Sequence, residues 1–214
     1  MPNGIGGLGM SDYHFTSDWF GERKRTIWDR LIPDLKPRRV IEVGSFEGAS
    51  ATYLIEACNS WRELELHCVD TWSGGVEHQG VEMDQVEQRF RSNIDSAKSK
   101  VDYLPEVRVH QGRSDYCLPK IMAEIGSNFF DLVYIDGSHQ APDVLFDAVV
   151  GFKLLRIGGL MIFDDYLWGE KLSTGYDPLR SPKVAIDAFI NTNIRKLDML
   201  PTPQVQIYLK KRAD

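Results

Sequence analysis

Five short apolar runs, each followed by a stretch of helical periodicity, constrain this chain more than any other feature. The runs are "RRVIEVG" (38–44), "LELHCVDTW" (64–72), "EVRVHQG" (106–112), "FFDLVYIDG" (129–137) and "LMIFDDY" (160–166). Between them lie "ASATYLIEACNSW" (49–61), "VEMDQVEQRFRSNIDSAKS" (81–99), "DYCLPKIMAEIG" (115–126) and "PDVLFDAVVGFKLLRIGG" (142–159), all read as helices. Strands that alternate with helices form right-handed βαβ units and a mainly parallel sheet with helices on both faces. After the fifth run, "SPKVAIDAFINTN" (181–193) reads as a helix, and "KLDMLPTPQVQIYLKKR" (196–212) as two strands joined by a Pro-containing turn. The expected fold is α/β: a doubly wound, mainly parallel, seven-stranded sheet ending in an antiparallel strand pair.

A further helix is added in front. In "TSDWFGERKRTIWDRLIP" (16–33), Trp19, Phe20, Ile27, Trp28, Leu31 and Ile32 fall near one helical face, and Pro33 is the expected stop. The glycine-rich "MPNGIGGLGM" before it reads as a tail able to fold over a pocket. Residues 1–36 are thus an N-terminal tail and helix, a candidate lid or homo-oligomer interface through Trp19 and Trp28, and residues 37–214 form the α/β domain.

Composition excludes several partners. A net charge of -6 argues against nucleic acid, and the short basic "LKKR" (209–212) reads as solvated. No apolar run has the length of a membrane span, no signal-peptide pattern is present, and the cytoplasm is the expected compartment. Cys58, Cys68 and Cys117 form no CxxC and no metal-ligand spacing, and read as small core residues.

Ligands of such sheets sit beyond the carboxyl ends of the strands, so those ends carry the functional reading. The first ends in "EVGSFEG" (42–48), where Gly44 and Gly48 permit a tight turn and close backbone approach. Its spacing is G-x-x-x-G, not the dinucleotide fingerprint, and Glu42 would repel a pyrophosphate while suiting a cationic ligand. The second ends at Asp70, which can accept hydrogen bonds from ribose hydroxyls or simply cap a turn. Glycine loop and acid together indicate a nucleoside ligand. The fourth and fifth ends bring Asp136 and the adjacent pair Asp164–Asp165. Neighbouring carboxylates at an apolar strand end are costly unless neutralised, and a hard divalent cation does so with oxygen ligands. The bland alternative is that they cap turns. His139 is a candidate proton acceptor or a helix-end hydrogen-bonding residue.

From about Val40 onward the chain resembles the Rossmann-like methyltransferases that use S-adenosylmethionine, with "EVGSFEG" like their glycine loop and "VDTW" like their ribose-binding strand end. The resemblance implies that Glu42, Gly44, Ser45 and Gly48 line the methionine part and Asp70 the ribose. It places Gly112, Arg113 and Ser114 at the adenine edge and Trp72 beside the ring. "YIDGSH" (134–139) and "GGLMIFDDY" (158–166) are similar to the metal-dependent O-methyltransferases, in particular the macrocin and mycinamicin type that methylate sugars. That likeness implies Mg²⁺ on Asp136, Asp164 and Asp165, with His139 as general base and a hydroxylated small molecule, a sugar or natural product, as acceptor. Asp164–Asp165 departs from the Asp-Asn usual in the catechol-methylating branch. Trp168 and Tyr176 follow the acid pair and either shape the acceptor pocket or pack in the core. The readings kept beside this one are a metal-independent methyltransferase, a nicotinamide-dependent oxidoreductase and a non-catalytic adenosyl-binding module.

Overall fold

The computed structural model describes residues 13–78 and 80–214, so the segment "MPNGIGGLGM" lies outside the described residues. Seven strands form one sheet: β1 (Arg39–Val43), β2 (Glu65–Asp70), β3 (Glu106–Gln111), β4 (Phe130–Ile135), β5 (Leu155–Phe163), β6 (Leu197–Met199) and β7 (Ile207–Lys211). Their order is β3-β2-β1-β4-β5-β7-β6. The first five are parallel, and β7 runs antiparallel between β5 and β6. The helices are α1 (Glu22–Leu35), α2 (Ala49–Ala57), α3 (Val86–Ser99), α4 (Ser114–Ile125), α5 (Ala141–Leu154) and α6 (Lys183–Asn193).

Strand periodicity divides the core in two. Ile41, Val43, Val133, Met161 and Phe163 point to one face and pack with Leu118, Val144 and Ile186 of α4, α5 and α6. Val40, Leu66, Tyr134, Ile162 and Tyr208 point to the other and pack with Trp28, Leu54 and Phe90 of α1, α2 and α3. Burial on both faces is why the central strands read as continuous apolar runs. The three cysteines are free and buried in these cores.

Three local expectations are corrected. Pro33 lies inside α1, which continues to Leu35 and ends at Lys36 (φ 46°), whose N–H donates to the Ile32 carbonyl at 2.8 Å. In "LLRIGG" the helical rhythm stops at Leu154, and β5 begins at Leu155 with Gly158 and Gly159 inside it. A Cβ on Gly159 would lie 2.6 Å from the Leu155 side chain, so the register shift opposite Phe130 and Leu132 leaves no room for one. Within "LKKR", Lys211 is not solvated: its Nζ is buried, donating to the Phe152 and Leu155 carbonyls at 3.0 and 2.8 Å and so closing the C-terminal end of α5.

Candidate active site

Strand order reverses between β1 and β4, and this switch point opens a cavity of about 570 Å³ at the carboxyl ends. Gly44 makes the opening possible. At φ 86° it turns β1 over β4, and a Cβ there would sit 2.0 Å from the Asp136 carbonyl oxygen.

The glycine loop is held from beneath. Asp70 Oδ2 accepts the Ser45 and Phe46 amides, both at 2.8 Å, and its Oδ1 accepts the Trp72 amide at 2.7 Å. Glu42 accepts the Ser45 hydroxyl at 2.7 Å and the Ser50 hydroxyl. Burial pushes the Glu42 carboxyl up to about 7, against the pull of those two hydroxyls. Gly44, Ser45, Asp70, Gly112, Arg113 and Ser114 line the cavity, whereas Glu42, Gly48, Trp72 and Asp164 do not. Glu42 is fully buried behind the loop, and Gly48 caps α2 against the Phe90 ring. Trp72 is also buried: it packs on Phe90 at 5.0 Å and donates Nε1–H to the Phe46 carbonyl at 2.9 Å, so it braces the loop rather than flanking a ligand.

At the other end the two adjacent aspartates part company. Asp165 adopts φ 51°, a left-handed conformation that Asp tolerates, and the two carboxylates diverge. Asp165 Oδ2 meets His139 Nε2 at 3.2 Å, and Asp136, His139 and Asp165 each offer a ligand atom within 4.8 Å of the others. His139 Nδ1 has no hydrogen-bond partner among the described residues, and the ring lies 4.5 Å from that of Trp168. Burial would raise the Asp165 carboxyl, but His139 and Lys24 outweigh it and hold it below the usual range.

Asp164, expected as a third ligand, turns inward instead. Its Oδ1 accepts the Asp165 amide at 2.7 Å. Its Oδ2 accepts Lys24 Nζ at 2.6 Å, Gln206 Nε2 at 3.0 Å and the Tyr134 hydroxyl. Tyr134 Oη also lies 2.8 Å from Asp136 Oδ2, and one hydroxyl hydrogen cannot serve both acids. Burial, with the Asp164 charge adding to it, pushes the Asp136 carboxyl well above the usual carboxylate range. Gln206 Oε1 in turn accepts Trp28 Nε1–H at 2.9 Å, completing a buried chain from α1 through the residue before β7 to the residue after β5.

Sequence reasoning missed Lys24 and Gln206. Lys24 carries a visible signal: with Trp28 and Ile32 it occupies every fourth position on the buried stripe of α1, where a cation is out of place. The segment before α1 also reaches the cavity, which Phe15, Trp19 and Phe20 line. Thr16 is anchored there by its amide and hydroxyl on Glu47, at 2.6 and 2.8 Å. Trp28 is fully buried and so cannot serve as an oligomer interface, and Tyr176 is exposed away from the cavity lining.

A switch-point cavity with a glycine loop and acidic strand end on one side, and a carboxylate–imidazole cluster on the other, defines an α/β enzyme. Residues 41–166 match the family described as "Methyltransferase domain"; the chain belongs to that family and is a methyltransferase. Among curated protein sequences none matches. Solved structures share the fold. The O-methyltransferase TomG from Streptomyces achromogenes, in complex with SAM, is 18% identical with a TM-score of 0.60, over 89% of this chain and 80% of that one. An O-methyltransferase from Bacillus cereus, in complex with SAH, is 16% identical with a TM-score of 0.59, over 88% and 80%. CalS11, a TDP-rhamnose 3'-O-methyltransferase of calicheamicin biosynthesis, is 15% identical with a TM-score of 0.57, over 87% and 78%. Among the described residues no helix is long and apolar enough to cross a membrane.

Proposed function

We propose that this chain transfers a methyl group from S-adenosylmethionine to a hydroxyl of a small molecule, with a sugar or hydroxylated natural product as the acceptor class. One observation carries the reading. The Asp136–His139–Asp165 cluster lies on the same cavity as the glycine loop and Asp70, so donor and acceptor would meet within one pocket. The SAM- and SAH-bound neighbours support the cofactor, and the sugar methylated by CalS11 supports the acceptor class.

Two hard carboxylate oxygens with one imidazole nitrogen, all within 4.8 Å, suit a divalent cation such as Mg²⁺, and Asp136 and Asp165 would hold it. Such an ion, when bound, lowers the pKa of a coordinated hydroxyl. The side chains do the rest. The Nε2 contact to Asp165 orients the His139 ring on the cavity wall, where the imidazole is the base that accepts the hydroxyl proton in this reading. The Asp70-braced loop holds the donor while Phe20 and Trp168 wall the acceptor side, giving the in-line approach that methyl displacement requires.

Calorimetry with S-adenosylhomocysteine, then turnover with and without a chelator, tests the reading. It expects cofactor binding that survives chelation and a methyl transfer that does not. Absence of S-adenosylhomocysteine binding would refute it. The metal-independent alternative is favoured by one observation, the neutralisation of Asp164 by Lys24, and predicts chelator-insensitive turnover.

A further inference from the structure

We propose that Lys24 is a positioning residue, a built-in counter-cation of the acid cluster whose docking couples the seating of α1 to the cluster's affinity for a divalent ion. The inference rests on the cation reading given above and concerns what this chain adds to it.

The side chain of Asp164 is fully buried and that of Lys24 nearly so, with 2.6 Å between Nζ and Oδ2. Donors already occupy both carboxylate oxygens: the Asp165 amide on Oδ1, and Lys24, Tyr134 and Gln206 on Oδ2. Asp164 therefore reaches an ion only by releasing some of them. Lys24 also lines the cavity beside Asp136 and Asp165. At 2.6 Å its ammonium forms an ion pair with the Asp164 carboxylate, so a positive charge stands at the edge of the cluster. A second cation entering this low-dielectric pocket meets that fixed positive charge, which lowers its affinity.

Coupling of this kind is reciprocal. An ion at the cluster repels Lys24 and weakens one polar tie on α1, leaving the bonds from Trp28 to Gln206 and from Tyr53 to Asp29. The segment leading into α1 supplies Phe15, Trp19 and Phe20 to the cavity wall. Occupancy of the cluster thus loosens the wall that covers the bound acceptor, and seating of the wall favours an ion held loosely.

The test is Mn²⁺ binding, followed by electron paramagnetic resonance, with the full chain as wild type, Lys24→Gln, Lys24→Arg and the double variant Lys24→Gln/Asp164→Asn. Lys24→Gln keeps a hydrogen-bond donor toward Asp164 without the charge, and its melting curve is recorded alongside. Lys24→Gln is expected to bind Mn²⁺ about tenfold more tightly or better. Lys24→Arg should match wild type, and the double variant should return close to it. Hydrogen exchange adds a second readout: Mn²⁺ should speed exchange of the α1 amides in wild type and not in Lys24→Gln. Mn²⁺ affinity that is unchanged or lower in a folded Lys24→Gln protein overturns the proposal alone. Binding by Lys24→Gln but not by wild type supports it while removing the cation from the wild-type reaction. Binding by neither overturns the proposal together with the cation reading.

Discussion

Replacing Glu42 by Gln should change how stability depends on pH rather than remove stability outright. Glu42 has no exposed surface, and burial pushes its carboxyl up to about 7, against an ordinary 4.5. Between those values the folded chain keeps a proton that the unfolded chain has released. The folded state binds more protons, so the slope is negative: stability is full below pH 4.5, falls as pH rises, and levels off above about 7. At about 1.4 kcal/mol per unit, the loss attributable to Glu42 is about 3 kcal/mol. Gln is neutral throughout, and the Ser45 and Ser50 hydroxyls can reorient to meet its amide. Urea denaturation at half-unit steps from pH 4.5 to 8.5 reads the difference directly. With an m-value of about 2–3 kcal/mol/M, the wild-type midpoint should drop by roughly 1 M more than that of Glu42→Gln. Parallel midpoints for the two proteins across that range would refute the reasoning, because they would mean that Glu42 ionises in the folded state as it does in the unfolded one.

Asp147, buried on α5 and likewise raised to about 7 by burial, should contribute a second component of the same sign, removed by Asp147→Asn in the same titration. His139→Ala should lower turnover by about 10²–10⁴ while S-adenosylhomocysteine affinity, read by calorimetry, stays within about twofold. Gly44→Ala places a Cβ against the Asp136 carbonyl at a positive φ and should abolish cofactor binding along with several degrees of melting temperature. Asp164→Ala leaves the Lys24 ammonium buried without its partner and should cost about 3 kcal/mol in denaturant unfolding.

The sheet was legible because its strands are buried on both faces and its helices are amphipathic, so a change of rhythm marks each boundary. That legibility failed where an apolar rhythm crossed a boundary unchanged, as in "LLRIGG", and where burial of Lys211 depended on carbonyls left open at the end of α5. The strand-end rule located the cavity, the glycine loop, Asp70 and the converging acids. It could not say which way each end residue points. Asp164 and Asp165 are adjacent in sequence and diverge because Asp165 takes a left-handed backbone. Trp72 and Glu42 brace the loop from behind for a similar reason: strand parity and neighbouring side chains, not proximity in sequence, decide which residues face the ligand. Lys24 is marked by its place on the buried stripe of α1, but its pairing and that of Gln206 were out of reach, because Asp164 lies 140 and 42 positions away and only the assembled layers bring them together.

The tie between Trp28 and Gln206 spans 178 positions, and it has a consequence for biosynthesis. A nascent chain that has left the ribosome only as far as Asp165 already holds Asp136, His139, Asp164 and Asp165. It lacks the glutamine that joins α1 to the inward-turned aspartate. The leading helix must then wait, with its tryptophan unpaired, until translation delivers β7.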